Sequence, residues 1–365
     1  MGAAIEGPAA RLGRLIAPGS KGKLLDIGCG FGFAMAAVQG MTGWTARGFE
    51  PSQYGAAGRD LLGLDIVNGF AVRNADPTEL YDIVHCSEVI EHVPDAGAFL
   101  DLLVSYLAPD GVLVLTTPDA ELVTPRLSPQ LLLPALSPGA HTVLFSEPSM
   151  LALLKRAGLP NLLVEHTGIS KLYYASRRPI SLGDPDVWRD RMLAWMAEAA
   201  EAAEDGSSLA AGLRFRAFRG AMDYGRYELA GRLYRPDLAA VEVPKGAVAD
   251  IAAFAARWPF CIAASTYYAG MFMLLHRADR ETAAKMFEVA HRLCLAKLEL
   301  APHVSVVEAD LVWRAVYHRA LAQAQSGHAA LASETLRAFD DTELRPPVPA
   351  DLIPAITALR KALSR

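Results

Sequence analysis

The sequence predicts an α/β domain built on a mostly parallel seven-stranded sheet with a terminal antiparallel hairpin, followed by an all-helical domain. Three observations carry this. Through residue 178, short β-branched runs alternate with helical stretches, the pattern of a parallel sheet with crossover helices. Two further runs, 161–166 and 171–176, are joined only by Thr-Gly-Ile-Ser, a link too short for a parallel crossover, so they pair antiparallel. After Arg177-Arg178-Pro179 the β-branched alternation gives way to Ala, Leu, Arg and Glu. The domains are therefore expected at 1–178 and 185–365, with a segment of linker composition between them.

Element by element, strands are expected at 23–27, 45–49, 65–67, 82–86 and 112–116, with helices at about 31–40, 52–63, 95–107 and 146–157. Ser146 reads as a helix N-cap with Pro148 in the first turn. Between Pro118 and Phe145 runs a long connection with an apolar centre. Connections of that length in a compact domain usually serve function, so Leu131, Leu132 and Leu133 are expected to line the acceptor side or to pack against the helical half. In that half, helices are expected at 186–205, 208–223, 226–234, 247–257, 262–277, 279–300, 305–326, 328–340 and 350–363. A faint repeat places Tyr224-Gly225, Arg277-Ala278 and Ser326-Gly327 at turns between helices, with Ala230, Ala283 and Ala332 where the helices would cross. Residues 317–339 resemble one tetratricopeptide-type hairpin, though the spacing exceeds the ~34 residues of that family. Arrays of this kind bind protein partners, shape a substrate cleft or form a homo-oligomer.

Composition excludes several classes. With 365 residues, 52% hydrophobic and 21% charged, the chain is neither disordered nor of low complexity. No apolar run approaches the ~18–20 residues that span a bilayer. The opening MGAAIEGPAARLG has neither the pattern of a secretory leader nor the Ser/Thr of a myristoylation signal. Cys29, Cys86, Cys261 and Cys294 show no CxxC or zinc-like spacing, which fits a reducing, cytoplasmic setting. A net charge of −5 disfavours nucleic acid as a partner.

The chemistry is concentrated in four segments. LLDIGCGFGFAM (24–35) carries Asp26 to a strand end and follows it with Gly28, Gly30 and Gly32, where backbone can approach a ligand closely. Its GxGxG spacing is neither the GxGxxG of a dinucleotide site nor a P-loop, and no Lys follows. GFEPS then ends the second strand on Glu50, a carboxylate suited to ribose hydroxyls. YDIVHCSEVIEHVPD (81–95) and LAPDGVLVLTTP (107–118) complete the set. With these four motifs in order, residues 10–178 resemble a class I S-adenosylmethionine-dependent methyltransferase, a Rossmann-like fold, of the branch that includes the ubiquinone-pathway O-methyltransferases.

The resemblance implies S-adenosylmethionine as cofactor and S-adenosylhomocysteine as product. Asp26, Gly28, Cys29, Gly30 and Gly32 would line its methionine end. Glu50 would hold the ribose, Phe49 and Pro51 would flank the adenosine, and Cys86, Ser87 and Glu88 would lie near the sulfonium. Adenine has no clear partner, Asn68 and Asn74 being the candidates. His92 stands where it can take a proton from an acceptor hydroxyl; capping the turn before Pro94 is the competing reading. Glu88, Glu91 and His92, with His141, also resemble the divalent-metal ligands of small-RNA 2′-O-methyltransferases, and carboxylate with imidazole is sound ligand chemistry. Relatives carry EVIEH without metal, and no metal ligand is assigned. The expected function is O-methyl transfer to a small molecule or glycan. The alternatives are a cofactor-binding scaffold whose helical array recruits a partner, and a metal-assisted RNA methyltransferase.

Overall fold

The computed structural model describes residues 3–364 apart from 77, 126, 128, 205, 259–260, 302–304 and 341–345. Met1 and Gly2 of the N-terminal motif and Arg126 and Ser128 of the long connection therefore lie outside the described residues. The chain divides into two compact units, Met1–Trp195 and Met196–Arg365.

The first unit runs α1 (Ala3–Gly13), β1 (Lys23–Ile27), α2 (Phe33–Thr42), β2 (Thr45–Phe49), α3 (Gln53–Leu62), β3 (Asp65–Val67), β4 (Tyr81–Ser87), α4 (Ala96–Ser105), β5 (Leu107–Pro118), α5 (Pro129–Leu136), α6 (Glu147–Arg156), β6 (Asn161–Thr167) and β7 (Ser170–Ser176). The sheet has seven strands in the order β3-β2-β1-β4-β5-β7-β6. β1 to β5 pair in parallel, and β7 runs antiparallel to both β5 and β6. The apolar run of β1 is buried on both faces, as a central parallel strand requires. On one face Leu25, Ile27, Val84, Cys86, Leu115 and Tyr173 pack against Leu100, Leu103, Met150 and Leu154. On the other, Leu24, Ile83, Val114, Leu172 and Tyr174 meet Leu12, Ile16, Met35, Val38 and Trp188. Local caps fix the helix starts: Ser52 Oγ accepts from Tyr54 N, Asp95 from Ala98 N, and Ser146 Oγ from Ser149 N.

Two helices were not foreseen. α1 contains Pro8 and α5 contains Pro134, and a proline inside a helix is the residue that argues against one. In α5 Ala135 is buried while Leu131, Leu133 and Leu136 are exposed, so these leucines do not pack into a core.

The two compact units meet after residue 195, later than the segment of linker composition at 178–185. Ile180 and Leu182 pack on the second core cluster, and Gly183 N donates to Arg14 O at 2.7 Å. α7 (Pro185–Ala202) then places Trp188, 3% exposed, against Leu12 and Ile16. The first unit is closed by this segment, and its limit falls inside α7.

The second unit continues with α8 (Ser208–Asp223), α9 (Tyr227–Leu233), α10 (Val248–Ala255), α11 (Ile262–Phe272), α12 (Arg280–Leu300), α13 (Val306–Gln325), α14 (Ala329–Leu336) and α15 (Ile353–Leu363), with no strand among the described residues. The repeated turns are left-handed at Gly225, Ala278 and Gly327, with φ of 67°, 55° and 83°. Ala230, Ala283 and Ala332 are fully buried beyond them. The unit is thus built from helical hairpins. No helix among the described residues is long and apolar enough to cross a membrane.

Candidate cofactor and acceptor site

The site is assembled where β1, β2, β4 and β5 end. A parallel sheet brings those ends to one edge, the usual place for a ligand in such folds. After β1 the chain turns with positive φ at Gly28, Gly30 and Gly32. A Cβ on Gly28 would lie 2.4 Å from Val89 Cγ2, so the turn after β1 must be bare there to seat against the turn after β4. A Cβ on Gly30 would meet nothing within 4 Å, so this backbone faces open space. The glycine loop meets Glu50 directly: Gly30 N donates to Glu50 Oε2 at 3.0 Å, and Ser52 N donates to Glu50 Oε1 at 2.9 Å. Asn68 Nδ2 braces the same turn by donating to the carbonyls of Glu50 and Ser52. Asn74 donates to the carbonyls of Glu79 and Ser105, which removes its amide N–H groups from adenine recognition.

Strand parity sets the side chains of Cys86 and Phe49 on one face of the sheet. Cys86 is fully buried with Val84 and Leu115, and burial pushes its thiol well above its ordinary value, so its side chain belongs to the core. Phe49 packs on the same core face, its ring 6.2 Å from that of Tyr106. Cys29 is half-buried, and burial, then Asp26 and Glu50, push its thiol far up, so it stays protonated and inert. Pro51 is exposed at the head of α3. Beside it lies an aromatic pair that sequence reasoning passed over, Phe31 and Tyr54, with ring centroids 4.9 Å apart. Phe31 between the second and third glycines and Phe33 after the third were the available signal.

At the end of β4, Ser87 Oγ and Thr116 Oγ1 lie 2.6 Å apart. Glu88 adopts φ 56°, a strained conformation for a residue with a side chain, and such outliers gather at functional turns. Its Oε2 accepts from Ser170 Oγ at 3.2 Å. One turn later, Glu91 is fully buried. Its Oε2 accepts from Thr117 Oγ1 at 3.1 Å, while Oε1 has no partner among the described residues. Burial pushes this carboxyl up to about 7.

The long connection then folds back over this turn. Asp119 and Phe145 form a parallel bridge at its base, and Thr142 N donates to Glu91 O at 2.7 Å. That return brings His141 to His92, with ring centroids 4.6 Å apart. His92 Nδ1 lies 3.1 Å from Ala140 O and His141 Nδ1 lies 2.8 Å from Ala135 O. A carbonyl can only accept, so each Nδ1 carries a proton, and in the neutral ring each Nε2 keeps its lone pair. Glu91, His92 and His141 offer ligating atoms that all lie within 4.8 Å of one another. Glu88 is outside that group. Below the connection, Lys171 Nζ is enclosed by Glu121, Glu147 and Asp119 at 2.6, 3.1 and 3.2 Å, which ties β7 to the start of the connection and to α6.

A glycine loop joined to a carboxylate at the end of the neighbouring strand, in a sheet of this order, defines a domain for an adenosine-type cofactor. Residues 3–164 match the model of a family described as a methyltransferase domain. A stretch of 101 residues is 38% identical to a ubiquinone biosynthesis O-methyltransferase of Rhodopseudomonas palustris (strain TIE-1), covering 26% of this chain and 39% of that protein. The relative of the same description from Bradyrhizobium diazoefficiens is 37% identical over 101 residues, with 26% and 39% covered. The chain thus spans about two fifths of the length of these curated relatives. Among solved structures, an O-methyltransferase family protein from Burkholderia thailandensis has TM-score 0.39 at 20% identity, covering 48% of this chain and 56% of its own. An S-adenosylmethionine-dependent methyltransferase from Mesorhizobium loti has TM-score 0.37 at 18% identity, covering 47% and 97%.

Proposed function

We propose that this chain transfers a methyl group from S-adenosylmethionine to an oxygen of a small-molecule or glycan acceptor, with His92 as the base. The observation that carries it is the joint placement of the open glycine backbone at Gly30 and the Glu50 carboxylate. The cofactor supplies a methyl group already activated by the sulfonium, so the protein need only align the acceptor and remove its proton. Glu50 would hold the ribose hydroxyls, and the loop from Gly28 to Gly32 would follow the methionine end. His92 is exposed, and with Nδ1 fixed on Ala140 O its Nε2 is free to accept the hydroxyl proton. The exposed Leu131 and Leu133 give the connection an apolar surface for the acceptor. The helical unit would recruit a protein partner or a second copy of the chain, which light scattering tests. For the main reading, calorimetry with S-adenosylmethionine and S-adenosylhomocysteine comes first, then an acceptor screen with labelled methyl groups. Absence of binding to either removes the reading.

One observation favours a second reading of the same cluster. Glu91 Oε1 is buried without a partner among the described residues, and two histidines leave Nε2 clear by resting Nδ1 on backbone carbonyls, the arrangement that orients imidazole for a metal. Glu91, His92 and His141 would hold a divalent cation, which would supply Lewis acidity at the acceptor hydroxyl. His92 cannot be both ligand and base through the same nitrogen. A rise in melting temperature on adding Mg2+, Mn2+ or Zn2+ that is absent in Glu91→Gln supports the metal; no shift with any of them removes it.

A further inference from the structure

β1 and β4 lie in register so that Asp26 stands directly beside His85. His85 Nδ1 is 2.8 Å from Asp26 Oδ1, and the two side chains are 5% and 3% exposed. Their strand neighbours Leu24 and Ile83 belong to one hydrophobic cluster, so this pair is a polar insertion in an apolar sheet face. A carboxylate and an imidazole in such a place must shed water, an expense that packing alone never requires. Something at the strand ends must make use of Asp26. Its second oxygen receives no hydrogen bond from any described residue, yet it is not among the side-chain atoms sealed in without a partner. It therefore keeps a small accessible surface in a side chain otherwise buried, and Asp26 is followed after one residue by Gly28, where the glycine loop begins.

We infer that His85 is a positioning residue for the cofactor. Its Nδ1–H holds Oδ1 of Asp26 and so fixes the rotamer of the carboxylate. The free oxygen then receives the α-ammonium of the methionine portion of S-adenosylmethionine. This rests on the methyltransferase reading of the site. It assigns to His85 a part in selecting ligands that carry the amino-acid moiety over those that carry only the thioadenosine.

Two probes separate this role from a merely structural one: S-adenosylhomocysteine, which has the ammonium, and 5′-methylthioadenosine, which lacks the amino acid altogether. In His85→Leu, affinity for S-adenosylhomocysteine should fall by about 10- to 100-fold, the loss typical of one charge-assisted hydrogen bond. Affinity for 5′-methylthioadenosine should stay within a few-fold of wild type. His85→Asn, whose amide N–H occupies the place of Nδ1–H, should restore most of the affinity. His85→Gln, which places its N–H farther out, should not. Thermal melts monitor folding, and if the leucine variant is unfolded the comparison of Asn with Gln carries the test. Equal losses for both probes, equal losses in Asn and Gln, or no loss in Leu and Gln each overturn the proposal. Wild-type protein that binds neither probe overturns the methyltransferase reading itself, and this proposal with it.

Discussion

Replacing Glu91 by Gln should make the protein more stable at pH 8. The carboxyl is fully buried, one oxygen accepts from Thr117 Oγ1, and the other has no partner among the described residues. Burial raises its pKa to about 7, with Glu88 adding to the rise and His92 opposing it. In the unfolded chain the group ionises near its ordinary ~4.3. Between these values the folded protein holds a proton that the unfolded chain has lost, so stability falls as pH rises through this window. Each pH unit is worth ~1.4 kcal/mol, which puts the full penalty at about 3–4 kcal/mol, reached just above pH 7. Gln keeps the shape and the acceptor for Thr117 but cannot ionise. The difference between variant and wild type should be small at pH 4.5 and open to about 3 kcal/mol at pH 8. For a unit of this size that is a rise of order 10 °C in melting temperature. Denaturant melts at both pH values, with chelator present to strip adventitious cations, measure it. A variant no more stable than wild type at pH 8, or equally altered at both pH values, refutes the argument.

The remaining predictions concern the cofactor, the base and the domain limit. Glu50→Ala should weaken S-adenosylhomocysteine binding by about 10- to 100-fold through lost charge-assisted bonds to the ribose, since its Gly30 and Ser52 donors can turn to water; unchanged calorimetric affinity sinks the assignment. Gly28→Val drives a side chain into Val89 at a position with φ 78°, so it should abolish measurable cofactor binding. His92→Ala should lower kcat by ~100- to 10,000-fold with cofactor affinity nearly unchanged; full activity in the labelled-methyl assay dismisses His92 as base and as ligand. A fragment ending at residue 178 should be insoluble or bind cofactor poorly, because Leu12 and Ile16 lose Trp188, whereas a fragment carried through α7 should retain affinity. Equal solubility and affinity of the two fragments would restore the earlier boundary.

Sequence by itself determined whatever rests on neighbours along the chain. The strands β1 to β3 lie at 23–27, 45–49 and 65–67, where the alternation along the chain places them. The left-handed turns at Gly28, Gly225 and Gly327 follow from glycine itself. In a strand adjacent residues point to opposite faces, which is why Cys86 enters the core while Ser87 meets Thr116. Tertiary structure decided the rest. His141 joins His92 only because Thr142 hydrogen-bonds to Glu91 across 51 residues, and His85 finds Asp26 only through the register of two strands 59 residues apart. α1 and α5 form despite their internal prolines. In α1, burial of Leu12 against Trp188 outweighs a local preference. Trp188 itself carries no sign in the sequence of the core it closes. Pairings of this kind are settled by how elements stack and by what each must bury, and no window of neighbouring residues encodes that.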